Sequence, residues 1–249
     1  MMKRLWLALA IVAFLAAESR AEKKAVSFIG PDGFTLKGAF YTTGKAGPGV
    51  LLLHQCNADH QVYDNLGTLL STAGYNVLAF DFRGLGQSKG GDFTNFAAQS
   101  RKILELMPGD VDAALKFMTS QGIVNPNALG IVGGDCGANQ AVHAAERNPT
   151  VRTLVLMSGG TDAAGEAFIK NSPKIPIFGI ASEEDREGAA VVKKALDLST
   201  NAYSRLEMFK NAGHAASIFE KEPDLEADIV IWFRTNQAIG GYGLPPTIK

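Results

Sequence analysis

From residue 50 onward the chain repeats one pattern: a short, almost wholly apolar run, then a longer stretch that suits an amphipathic helix. Val50-Leu51-Leu52-Leu53 and Thr153-Leu154-Val155-Leu156-Met157 show no polar alternation, and a strand of that kind has no face to turn to water. Such strands belong inside a mostly parallel central sheet with helices on both faces, an α/β architecture. The pattern predicts elements over 50–54, 63–73, 75–81, 110–120, 128–133, 137–148, 151–157, 163–170, 174–181, 188–198, 205–210 and 225–236. Ahead of them, residues 26–43 read as a β-hairpin with Pro31-Asp32-Gly33 at its tip. Residues 92–107 read as a loop and a short helix stopped by Pro108-Gly109. Only one short helix fits between Met157 and Lys174, so no large lid is expected. Gly240 to Pro246 read as an irregular tail.

At 249 residues, 46% of them hydrophobic, the chain can bury one sizeable core, and a single domain over 22–249 is expected. Its 24 basic and 25 acidic residues give a net charge of −1, which leaves no electrostatic footprint for nucleic acid. Residues 1–21 read as a secretory signal peptide: Lys3-Arg4, then 13 apolar residues from Leu5 to Ala17, then Ser19-Arg20-Ala21 as the cleavage site. The apolar stretch is short for a membrane span, which needs about 20 residues. No cysteine lies near the cut to take a lipid. A periplasmic or secreted protein without a stable membrane anchor is therefore expected.

The segment from Leu129 to Gln140 breaks from an apolar run into glycines around a cysteine and then becomes helix-compatible. It reads as strand, tight turn, helix, the local form of a nucleophile elbow, with Gly134-Asp135-Cys136-Gly137-Ala138 in the place of G-x-S-x-G. A buried structural cysteine beside a glycine turn is the other reading of the same residues. Further along, the run from Ile175 to Ala181 ends in Ser182-Glu183-Glu184-Asp185, where an acid would emerge at a strand end. The strand candidate Ser204 to Lys210 runs into Asn211-Ala212-Gly213-His214, a histidine on a loop before the last helix.

With the apolar run ending at His54 and with Asp81-Phe82-Arg83-Gly84-Leu85-Gly86-Gln87-Ser88 after a further strand, the chain beyond residue 24 resembles the α/β-hydrolase family. It is most similar there to small dienelactone-hydrolase-like members with a Cys-Asp-His triad. The resemblance implies that Cys136 attacks an acyl carbonyl as a thiolate, that His214 is its base and that Asp185 orients His214. Glu183 and Glu184 remain competitors for the acid. His54, His60 and His143 are expected to be structural. The oxyanion donors would be the N–H groups of Gly137 and Cys56. The implied activity is hydrolysis of a carboxylic ester, lactone or thioester through a thioester intermediate, on a small-molecule acyl substrate and with no cofactor. Arg83 is one candidate to meet a substrate carboxylate.

The only two cysteines thus fall beside one site, in a compartment that favours oxidation. A Cys56–Cys136 disulfide would block the thiolate and leave a non-catalytic binding protein on the same fold. His54, Cys56 and His60 form a third possibility, a metal site. Oligomeric state is not legible.

Overall fold

The computed structural model describes residues 20–237. The expected leader, apart from its last two residues, and the expected tail over 240–246 lie outside them.

Strands β1 (Glu22–Ile29) and β2 (Thr35–Thr42) form the antiparallel hairpin, paired from Glu22 with Thr42 to Ile29 with Thr35. Its tip turns at Gly33, whose φ of 83° suits glycine. The alternation follows: β3 (Gly47–Leu53), α1 (Asp64–Thr72), β4 (Asn76–Phe80), α2 (Phe96–Ser120), β5 (Val124–Gly134), α3 (Cys136–Arg147), β6 (Val151–Met157), α4 (Ala163–Lys170), β7 (Ile177–Ser182), α5 (Arg186–Leu198), β8 (Arg205–Phe209), α6 (Ile218–Lys221) and α7 (Leu225–Asn236). The eight strands make one sheet in the order β1-β2-β4-β3-β5-β6-β7-β8. Only β1 and β2 run antiparallel to their neighbours; the other pairings are parallel.

Successive strand residues point to opposite faces, so each apolar run feeds two cores. Leu51 and Leu53 join Ile131, Leu154 and Leu156 under α2, α3, α4 and α5, whereas Val50 and Leu52 join Val132, Val155 and Met157 under α1 and α7. Full burial of each such side chain contributes about 1.5–3 kcal/mol, which explains why the strand positions facing the two cores are almost wholly apolar. Helix α3 meets the sheet through Ala138, Ala141, Ala144 and Ala145, whose small side chains let it lie close. Most polar atoms inside are paired, Trp232 Nε1 for example donating to Thr153 Oγ1 at 2.8 Å, whereas the Tyr75 hydroxyl and the side-chain oxygens of Gln140 and Gln237 are buried without a protein partner among the described residues.

The region 92–120 differs from expectation. Instead of stopping at Pro108-Gly109, α2 runs through them and is 25 residues long in all. One face of it, from Ile103 and Met107 to Val111, Ala114 and Met118, is buried against the sheet, and that burial outweighs the local cost of the proline. Gly109 serves as a notch. A Cβ there would lie 2.8 Å from Pro31 Cγ at the hairpin tip. Arg83, fully buried, locks the same junction: its guanidinium donates to Asp110 and Asp32 at 2.5–3.0 Å and sits 4.8 Å from the ring centres of both Phe34 and Phe93. Arg83 is therefore engaged in structure and cannot meet a substrate carboxylate, contrary to expectation. Between β6 and β7 the chain builds only α4, so no large lid covers the carboxyl edge of the sheet.

Candidate active site

Because β3, β5, β7 and β8 run parallel, the residues that follow each of them gather at one edge of the sheet. The loop after β3 carries Cys56, the turn after β5 carries Asp135 and Cys136, the turn after β7 carries Asp185, and the loop after β8 carries His214.

At the turn after β5, the strained residue is Asp135, with φ 50° and ψ −117°. A non-glycine residue in this region costs about 1–3 kcal/mol and persists only where its surroundings hold it. Here the Asp135 N–H donates to Met157 O at 2.9 Å and the Asp135 carbonyl accepts from Ala138 N at 2.9 Å. The glycines two residues before and two after Asp135 make the bend possible. A Cβ on Gly133 would lie 2.3 Å from the Gly137 carbonyl oxygen, and one on Gly137 would lie 2.4 Å from that of Leu53. The elbow is thus Gly133-x-Asp135-x-Gly137.

This moves the expected nucleophile position by one residue. Cys136 is not at the apex but opens α3, and its sulfur is bonded to Cys56, with the two Cα atoms 5.8 Å apart. Both cysteines are consumed, so a thiolate at Cys136 and a thioester intermediate are not what this geometry offers. Gly137, expected as an oxyanion donor, is likewise displaced; the residue after the apex is Cys136. The Cys56 N–H donates to Asp135 Oδ2 at 3.4 Å. That contact leaves Asp135 Oδ1 toward His214, whose Nε2 is 4.0 Å away.

His214 Nδ1 meets Asp185 Oδ2 at 2.8 Å, so Asp135, His214 and Asp185 form a chain of acid, imidazole and acid. Asp185 also caps α5 by accepting from Gly188 N at 3.2 Å. The competing acids are set apart by what they touch. Glu184 takes the Ser182 hydroxyl at 2.5 Å and the N–H groups of Asn211 and Gly213 at 2.8 and 2.6 Å. The Ser182 and Gly213 donors hold its carboxyl down at about 2. Glu183 is exposed.

The other histidines are occupied elsewhere. His54 is fully buried; its Nδ1 donates to Gln55 O and its Nε2 accepts from Phe82 N, and burial keeps its pKa below the ordinary value. His60 pairs with Asp81 at 2.7 Å. Burial alone would raise the pKa of Asp81, but His60 and the N–H groups of His60 and Gln87 outweigh it and lower the value. His143 bridges Glu146 and Asp162. With Cys56 in a disulfide, the metal set of His54, Cys56 and His60 is ruled out.

Asp135, Cys136, Asp185 and His214 line an open cleft of about 400 Å³. Asp162 and Glu187 also face it, and among the described residues that line it there is no lysine or arginine.

A family model described as alpha/beta hydrolase fold matches residues 48–178, more than half of the chain. The chain belongs to the α/β-hydrolase-fold family. A relative from Mycobacterium tuberculosis, described as an uncharacterized protein, is 30% identical over 148 residues, covering 59% of this chain and 48% of its own length. The chain thus spans about half the length of the curated relatives it matches. Among solved structures, an esterase from Pyrococcus furiosus superposes with a TM-score of 0.70 at 19% identity, over 87% of this chain and 93% of its own. A dienelactone hydrolase from Anabaena variabilis does so with a TM-score of 0.69 at 21% identity, over 88% and 100%. At these identities the likeness is one of α/β-hydrolase fold.

The aspartate was visible in the sequence, but only as a neighbour of the thiol. The signal that finds it is the pair of glycines at 133 and 137, which brackets residue 135 rather than residue 136.

Proposed function

We propose that this chain is a hydrolase whose nucleophile is the Asp135 carboxylate, acting on a saturated carbon that bears a leaving group such as a halide or an epoxide oxygen. Asp135 Oδ1 forms a bond to that carbon as the carbon–leaving-group bond breaks and the leaving group takes the electron pair; a halide departs as the anion, and an epoxide oxygen takes a proton from water in the open cleft. The product is an alkyl ester on Asp135. His214 Nε2 then removes a proton from water, and the water oxygen adds to Asp135 Cγ. Negative charge builds on Oδ2, where the N–H groups of Cys56 and Cys136 stabilise it. The intermediate collapses with cleavage of the Cγ–Oδ1 bond; the alcohol leaves with the proton from His214, and Asp135 is regenerated. Asp185 holds the imidazole ring and stabilises its charged form.

The observation that carries this reading is the carboxylate at the strained apex, with one oxygen on the Cys56 N–H and the other toward His214. Chemistry supports a saturated carbon over an acyl substrate. A carboxylate that adds to an ester carbonyl is a far better leaving group than the alkoxide it must expel, so the adduct reverts. The carboxylates around the cleft disfavour an anionic substrate and suit an uncharged or cationic one. The leader expected over residues 1–21 and the disulfide both fit an oxidising compartment, periplasmic or extracellular.

The test uses 1-bromobutane and 1,2-epoxybutane, with butyl acetate as the acyl control and bromoacetate as the anionic one. Halide or diol release is expected from the first two, lost by about a thousandfold or more in Asp135→Ala. A His214→Gln variant should trap the alkyl ester, seen as added mass on the peptide containing Asp135. A single turnover in ¹⁸O-water should label Asp135 before the product. Undiminished hydrolysis in Asp135→Ala would overturn the proposal, and absence of both turnover and adduct would favour a binding protein on this fold.

A further inference from the structure

The two residues whose N–H groups serve Asp135 in this mechanism are the two that the disulfide joins. Cys56 lies in the loop after β3 and Cys136 at the start of α3, 80 residues apart in sequence. The Cys136 N–H belongs to the first turn of a helix, where it has no intrahelical acceptor. The Cys56 N–H reaches Asp135 Oδ2 at 3.4 Å, beyond the usual range for such a bond, so a small outward shift of its loop would remove it. The loop is fixed on either side, by Gln55 Oε1 accepting from Ala216 N at 3.2 Å and by His60 N donating to Asp81 Oδ1 at 2.7 Å, but between them Cys56 is half-buried, Asn57 is exposed, and the chain turns on a 3.2 Å bond from Ala58 N to Gln55 O.

Resting on the role proposed for Asp135, we infer that the Cys56–Cys136 disulfide is a positioning element of the oxyanion hole. It holds the β3 loop against the elbow so that the Cys56 N–H stays on Asp135 Oδ2, beside the start of α3 that carries the Cys136 N–H. The chemistry makes this role specific to one half of the reaction. During alkylation the carboxylate loses negative charge, and N–H donors on Oδ2 give that step no help. During hydrolysis a full charge appears on Oδ2, and the donors must be in place. Loosening the loop should therefore slow water attack and spare ester formation.

The experiment compares the parent protein with a Cys56→Ala/Cys136→Ala double variant, using 1-bromobutane and rapid quenching followed by intact-mass measurement. The variant contains no thiol that the probe could alkylate. Circular dichroism at the assay temperature confirms that it is folded. The expected result is alkylation at close to the parent rate, hydrolysis slowed by about tenfold to a hundredfold, and butyl-enzyme accumulating on Asp135. Two results would overturn the inference: hydrolysis at the parent rate, or both steps slowed together, as a merely structural staple would give. If the double variant does not fold, the native protein, reduced with a phosphine and capped at both sulfurs with methyl methanethiosulfonate, provides the same comparison. Absence of an adduct in the parent, in His214→Gln and in the double variant alike defeats the nucleophile assignment itself and this inference with it. An adduct in the parent or in His214→Gln, with no redox-linked change in its hydrolysis, defeats only the inference.

Discussion

His214 is served by two adjacent acids that reach it differently. Asp185 touches the imidazole directly, whereas Glu184 binds the backbone of residues 211 and 213 and fixes the loop that carries it. Asp185→Asn should retain a hydrogen bond to the ring yet lose the charge that stabilises imidazolium, lowering turnover by about 10²–10⁴-fold. Glu184→Gln keeps an amide oxygen for the loop N–H groups and should cost much less. Kinetics of the two variants on one substrate check this, and a larger loss in Glu184→Gln would reverse the assignment. That Asp185 and His214 would meet was legible because the resemblance to α/β-hydrolases implied an acid after one late strand and a histidine after the next, and the parallel strands bring the two side chains together. The apex was harder to read. A cysteine drew attention by its reactivity, while the backbone constraint that selects residue 135 resides in two glycines with no side chain to notice. The cysteine pairing stayed open for a physical reason too: it depends on a Cα separation that sequence spacing does not encode.

Among the elements, the central strands such as β3 and β6 were read from composition, because burial on both faces leaves an almost unbroken apolar run. Helix α2 was not. A Pro-Gly pair signals an end when only local preference acts, but here a long apolar stripe against the sheet continues on both sides of it. The pair also receives the hairpin, with Pro31 seated on Gly109 and Arg83 bound by the next residue, Asp110. Neither contact leaves a trace in a local window. The junction should be expensive to break. Asp110→Ala would leave a buried guanidinium with only the half-exposed Asp32, and a loss of about 3–5 kcal/mol is expected in urea unfolding. A loss under about 1 kcal/mol would mean that α2 and the hairpin are held by apolar contacts alone.

For the whole molecule, acid should act through carboxylates that folding has made stronger acids. Arg83 holds Asp32 at about 2, against its ordinary 3.8, and Ser182 with the Gly213 N–H holds Glu184 at about 2, against 4.5. A folded value below the unfolded one adds stability above the unfolded value, and that contribution disappears as pH falls toward the folded one. The melting temperature should therefore begin to fall below about pH 6.5, where the unfolded His54 takes up a proton that the buried one refuses, and decline further from about pH 4.5 to 2, with a smaller decline over that second range in Asp32→Asn. A flat profile down to pH 2 would refute this. The disulfide acts on the same scale in a different manner. By tying residue 56 to residue 136 it closes α1, β4, α2 and β5 into a covalent ring, which by loop-closure entropy disfavours the unfolded chain by about 4–5 kcal/mol. A protease that cuts within the ring, for instance in the stretch before α2, therefore opens a nick without releasing a fragment. The β3 loop and the turn after β5, on either side of the cleft, stay tethered to one another.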